Sequence, residues 1–244
     1  MSAKRKSRQK NSIINYTNIV DINDYQKKSQ IKLSPKNENQ KLFINYLSDN
    51  NTDIVFGVGP AGSGKTFISV LSAIKHLKDG LVDRIIITRP AVALEEDLGF
   101  LPGTLEQKMT PWTMPIFDIL KEYYCASSIE KMLRESVIEI SPLAYMGGRN
   151  FNNAFIIADE MQLSTIRQQK MLLTRISTGS KMVITGDFAQ SSKRTNGLID
   201  FVNKLKQHNS SRIALVEFTH KDIERHPAVK EVLELYNQFP EQMD

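Results

Sequence analysis

Eight consecutive residues, Gly59-Pro60-Ala61-Gly62-Ser63-Gly64-Lys65-Thr66, have the types and spacing of a phosphate-binding loop. Its glycines let successive backbone N–H groups turn inward around phosphate oxygens. A helix that starts where the loop ends adds the positive end of its dipole. Lys65 is placed to reach the β- and γ-phosphates, and the Thr66 hydroxyl to ligate Mg²⁺. A second constellation, Phe155-Ile156-Ile157-Ala158-Asp159-Glu160, runs from four apolar residues into two carboxylates. Asp159 is the candidate holder of Mg²⁺, and Glu160 is the candidate general base for a water attacking the γ-phosphate. Two adjacent acids favour hydrolysis over transfer to a hydroxyl acceptor, because an attacking water needs a base of its own. A third run, Met182 to Gln190, ends in Gly186-Asp187 with Gln190 three positions further on. A carboxylate and an amide there suit a sensor of the γ-phosphate. These residues imply a nucleoside triphosphate as ligand.

Such groups must stand at the carboxyl ends of parallel strands, and the chain supplies the strands. Ile54–Val58 reads as a buried strand before the glycine loop, and Phe67–Leu77 as a helix with apolar residues on one face. Further strands are expected at Arg84–Thr88, Val137–Ile140, Ala154–Ala158, Lys181–Thr185 and Arg212–Phe218. Helices are expected at Pro115–Tyr124, Ser128–Arg134, Ser164–Arg175, Gly197–Gln207 and Pro227–Phe239, with an earlier one opened by Ser34-Pro35 and carrying Gln40. Ala91–Thr113 is read as an irregular insertion with short helices, and Tyr145–Asn150 as a loop. Alternation of strands and helices predicts an α/β fold, a mainly parallel sheet with helices on both faces. The strand of Asp159 is expected to adjoin the strand of the glycine loop.

A length of 244 residues suits one such domain and a tail, with the boundary set at residues 1–31 and 32–244. The net charge of +5 is uneven: five of the first ten residues are Lys or Arg. That arm is either a solvated tail or a non-specific contact to nucleic-acid phosphates. No apolar run reads as a signal peptide or a membrane span, so no membrane partner is expected. The lone Cys125 rules out an intrachain disulfide; it is read as a core residue, and a reducing cytoplasm is the expected setting. The histidines show no metal spacing. Phe100, Trp112, Tyr123, Tyr124 and Tyr145 are read as packing residues rather than as platforms for nucleic-acid bases.

Taken together, G-P-A-G-S-G-K-T, T-R-P-A-V with L-G-F-L-P-G, D-E, L-T-R-I-S-T-G-S-K-M-V-I-T-G-D-x-x-Q and R-H-P-A-V resemble the PhoH-like family of phosphate-starvation-inducible ATPases. The resemblance runs from about Leu33 to Phe239. It implies a single RecA-like P-loop domain similar to the motor core of superfamily-1 helicases. ATP and Mg²⁺, single-stranded RNA as the nucleic-acid partner, and a homo-oligomeric ring, with a hexamer favoured, follow from the same likeness. It makes Gln40 an adenine-reading glutamine, Arg89 part of a segment touching nucleic-acid backbone or the phosphate site, and Arg225-His226-Pro227 the family's C-terminal motif. A single lobe lacks a second lobe's arginine finger, so a neighbouring subunit is expected to supply one, with Arg225 the first candidate and Arg149 the second. The chain departs from the family pattern at Met161-Gln162-Leu163, at Gly147-Gly148-Arg149-Asn150 and at Ser191-Ser192-Lys193. Coupling to nucleic acid is where those departures are expected to act. Two other readings stay open: an ATP-gated RNA-binding protein with little turnover, and a small-molecule P-loop kinase.

Overall fold

In the computed structural model, residues 30–90, 105–191, 196–224, 228, 229 and 231 are described, and side chains of 105–112 are not. Six strands form one sheet, every pairing parallel: β1 (Ile54–Val58), β2 (Arg84–Thr88), β3 (Ile138–Ile140), β4 (Ala154–Ala158), β5 (Lys181–Gly186) and β6 (Ile213–Glu217). Their order across the sheet is β3-β2-β4-β5-β1-β6. Among the described residues six α-helices accompany them: α1 (Glu38–Ser48), α2 (Lys65–Lys78), α3 (Leu105–Tyr123), α4 (Ala126–Arg134), α5 (Ile166–Leu173) and α6 (Gly197–Lys206).

The period-two alternation along the strands decides the layers. Val55, Ile85, Ile87, Phe155, Ile157 and Val183 point to one face, where α1 to α4 bury Phe43, Ile74, Leu120 and Ile129. Phe56, Ile86, Ile156 and Ile184 point to the other, where α5 and α6 bring Leu172, Leu198 and Val202. The sheet is thus covered on both faces, as a parallel sheet with buried strands requires.

Strand order corrects one expectation. β4, with Asp159 at its end, does not adjoin β1; β5 lies between them. Register puts Val58 level with Gly186 and Ile184 level with Ala158. The loop after β1, the turn after β5 and the acids after β4 therefore stand side by side at one edge of the sheet.

Several boundaries move. The helix expected from Ser34-Pro35 starts at Glu38, because Asn37 is the residue whose side chain accepts the Gln40 N–H, at 2.8 Å. The stretch read as irregular up to Thr113 belongs from Leu105 onward to α3, which continues through Pro111 and Pro115. Two prolines suggest breaks, yet burial of Ile116, Phe117 and Leu120 in the core beside α2 and α4 holds the helix there. Cys125 is not a core residue: it is exposed, at the N-cap of α4. Tyr123 and Tyr124 are buried as expected, but Tyr145 is 63% exposed. The basic tail, the L-G-F-L-P-G segment, Phe100 and Arg225-His226-Pro227 lie outside the described residues, as does most of the last expected helix. No helix among the described residues is long and apolar enough to cross a membrane.

Candidate active site

The glycine loop connects β1 to α2. Gly59 adopts φ +139°, and a Cβ on it would lie 2.3 Å from the Phe218 carbonyl oxygen, so only glycine lets the exits of β1 and β6 pass this closely. Gly64 is the N-cap of α2 in the left-handed region, φ +86°, which aims the first turn's N–H groups into the loop. Lys65, 8% exposed, staples the loop from inside: its Nζ donates to Gly59 O at 2.7 Å, Pro60 O at 2.8 Å and Ser63 Oγ at 3.1 Å. Burial pulls the Lys65 pKa down, and the negative charges of Asp187, Asp159 and Glu160 push back. A buried cation facing three acids and a ring of backbone N–H groups is built for a polyanion with a bound cation.

The acids converge on the same point. Thr66 Oγ1 donates to Asp159 Oδ1 at 3.1 Å, across the sheet position that β5 occupies. Thr185, on β5 and fully buried, also donates to Asp159 Oδ1. Asp159 is further tied through its backbone N–H to Thr88 O at 3.0 Å. Hydroxyl and carboxylate oxygens side by side are hard donors that fit Mg²⁺, which takes few protein ligands and completes its shell with phosphate and water. Among the described residues no cluster of three His, Cys, Asp or Glu could cage a metal.

Glu160 has a left-handed backbone, φ +55° and ψ +38°, unusual for a side chain of its kind. Its Oε2 accepts from Gln162 Nε2, and its Oε1 lies 3.4 Å from Arg89 Nη2. Gln162, 3% exposed, uses its other end to accept the Asp187 N–H at 3.1 Å. One amide therefore ties the candidate base to the turn after β5. Asp187 in turn caps that turn, its Oδ1 accepting the Ala189 N–H at 3.0 Å. Ala61, Thr66, Glu160, Asp187 and Gln190 all border one cavity of about 310 Å³. Larger hollows exist, of about 590 Å³ at the opposite edge of the sheet and about 990 Å³ between α3, α4 and β3, but neither borders the glycine loop.

Gln40 stands against the loop without bordering that cavity. Its Nε2 donates to Ser63 O at 3.1 Å, and its Oε1 accepts the Lys36 N–H at 2.9 Å, so it braces the loop from behind. Arg149 is committed to Glu139 on β3, with Nη2 at 2.9 Å from Oε2 and its guanidinium over the Phe151 ring. Within one subunit its guanidinium is thus paired at β3, away from the glycine loop. Arg225 falls outside the described residues; Glu224, just before it, donates its N–H to Gly62 O at 2.9 Å. Sequence reasoning gave Thr185 and Gln162 no role. Thr185 was concealed within an apolar strand, and a polar residue ending such a strand one step before Gly-Asp was the signal available.

The model of the family described as PhoH-like protein matches residues 32–237. A PhoH-like protein of Mycobacterium bovis is 44% identical over 212 residues, 86% of this chain and 59% of that protein. One of Bacillus subtilis is 42% identical over 205 residues, covering 83% and 63%, and protein PhoH of Escherichia coli is 35% identical over 207, covering 83% and 57%. The chain thus spans about three fifths of these relatives' length. Among solved structures, the UvsW helicase of bacteriophage T4 aligns with a TM-score of 0.46 at 13% identity, over 80% of this chain and 64% of that one. The Pif1 helicase of Candida albicans aligns at 0.39 and 18%, over 86% and 44%. With a complete glycine loop, paired acids at one edge of an all-parallel sheet and a family match over most of its residues, this chain belongs to the PhoH-like proteins.

Proposed function

We propose that this domain hydrolyses ATP with Mg²⁺ and couples the reaction to single-stranded nucleic acid, RNA foremost. The observation that carries the reading is the Thr66 Oγ1–Asp159 Oδ1 contact of 3.1 Å beside Glu160, at the mouth of the glycine loop. Backbone N–H groups of the loop and the α2 N-terminus bind the phosphates, and Lys65 neutralises the β- and γ-oxygens. Thr66 and Asp159 would hold Mg²⁺, which would offset negative charge on the phosphates. Glu160 accepts the proton of the attacking water, and Asp187 with Gln190 responds to the loss of the γ-phosphate. Gln40 keeps one amide hydrogen and one lone pair beyond its two bonds, the complementary pair an adenine edge needs.

An arginine must still offset charge in the transition state. With Arg149 held by Glu139, Arg225 is the candidate, acting from a neighbouring subunit of a cytoplasmic homo-oligomeric ring. The basic segment 1–31 would add salt-sensitive contacts to nucleic acid. Phosphate release measured with and without single-stranded RNA and DNA, alongside native mass, tests the proposal. Turnover abolished by Glu160→Gln, with no added acceptor needed, supports hydrolysis; transfer to a small-molecule acceptor would replace it with a kinase. Nucleic-acid binding that never alters phosphate release would leave an ATP-gated binding protein. Activity restored on mixing inactive Arg225→Ala and Glu160→Gln subunits would place the finger in trans.

A further inference from the structure

The candidate base is held by an arginine from another strand. Arg89 follows β2 directly, and its guanidinium reaches Glu160 Oε1 at 3.4 Å, both side chains being partly exposed. The opposite oxygen, Oε2, is taken by Gln162, and the Glu160 backbone sits in the left-handed region. A carboxylate gripped at both oxygens on a strained backbone is oriented by the protein rather than by an attacking water. On its far side, the Arg89 carbonyl accepts the Leu143 N–H at 3.2 Å, and Leu143 opens the one-turn helix that presents the exposed Tyr145 ring. A guanidinium and an exposed aromatic ring on joined backbone segments are what a single strand needs, one for phosphate and one for a base.

Resting on the ATPase reading above, we infer that Arg89 is a latch on Glu160, released when a phosphodiester of single-stranded nucleic acid takes over the guanidinium. Without nucleic acid, Arg89 keeps the carboxylate turned away from in-line water, while Gln162 holds its other oxygen in place. A phosphodiester offers the guanidinium a bidentate partner in place of one carboxylate oxygen, and Glu160 Oε1 is freed to accept the water's proton. The nucleic acid supplies charge competition and no chemical group. Arg89 is in this sense a positioning residue, acting through Glu160.

The test is phosphate release by wild type, Arg89→Gln and Arg89→Lys, with and without oligouridylate, and anisotropy of a labelled oligouridylate. Arg89→Gln should raise the rate without RNA by about fivefold, the rate equivalent of one partly exposed ion pair, and abolish further stimulation. Arg89→Lys should bring back the low basal rate, because the charge survives. Tyr145→Ala should raise the RNA concentration for half-maximal stimulation about tenfold. A basal rate in Arg89→Gln equal to or below wild type overturns the latch, since a merely structural arginine could only lose activity. Should wild type hydrolyse nothing under any condition, the ATPase reading of the native protein fails, and the latch is judged alone: turnover appearing in Arg89→Gln upholds it, and none overturns it.

Discussion

Thr66 lies in the first turn of α2, after β1, and Asp159 follows β4; those two strands do not touch, yet Thr66 Oγ1 donates to Asp159 Oδ1 at 3.1 Å. β5 separates their strands and contributes Thr185, which donates to the same oxygen. The Asp159 carboxylate is therefore oriented from two sides, by the glycine loop and by β5.

Thr185→Val keeps the shape of that strand and deletes the donor. Groups that orient a metal ligand commonly affect affinity by about 10–100-fold, so the Mg²⁺ concentration for half-maximal turnover should rise about tenfold. Thermal melting should change little. An unaltered Mg²⁺ titration would show that Asp159 is positioned without Thr185.

Gln162 hydrogen-bonds both the Glu160 carboxylate and the Asp187 backbone. Gln162→Leu preserves buried volume but lets both partners go, and misplacement of a catalytic group by about 1 Å costs about 10²-fold in rate. Turnover should fall by that order while binding of a fluorescent ATP analogue persists. Equal losses in both would assign Gln162 to the fold instead.

Gly59 carries φ +139° with Phe218 O 2.3 Å from any added Cβ. Gly59→Ala should cost at least about 2 kcal/mol from the backbone conformation alone. Chemical denaturation reads the loss, and the exit of β6 must shift from the loop for the variant to fold at all. A variant as stable as wild type would contradict this close passage.

Lys181 starts β5 with its Nζ donating to Tyr46 O, Asp49 O and Thr52 O, at 3.3, 2.7 and 2.6 Å. It ties the end of α1, the helix of Gln40, to the strand of Thr185. Burial lowers its pKa to about 8. Lys181→Met leaves three carbonyls without that donor, a loss of about 2–4 kcal/mol, and melting should drop by roughly 5–15 °C.

Cys125 is exposed and accepts or shares hydrogen bonds with Ser127 and Ser128 at 3.1 and 2.9 Å, which bring its pKa down to about 7. Because the thiolate is the nucleophile, alkylation by iodoacetamide should rise with pH through about 7 and level off above it. A midpoint near 9, the value of an unperturbed thiol, would remove the hydroxyls from the account.

Local sequence was enough to find Lys65, Thr66, Asp159 and Glu160, since each lies within a short motif whose spacing is set by one loop or one strand end. The edges of β1, β2 and β4 were legible to the residue for a similar reason: each is a short apolar run bounded by polar or turn-forming residues. What lay beyond local pattern was lateral order. Placing β5 between β1 and β4 depends on how whole strand–helix units pack on the sheet, and no window of residues around Asp159 contains that information. The same holds for side chains that meet across the chain. Arg89 lies 71 positions before Glu160, and Gln162 lies 25 before Asp187. α3 marks the opposite case, where local signals opposed the outcome. Its prolines argued for a break, and burial of Ile116, Phe117 and Leu120 prevailed because apolar surface removed from water outweighs local propensity. The motifs of the candidate phosphate site are thus a property of short-range sequence, while the partners that orient Asp159 and Glu160 exist only once the sheet has assembled.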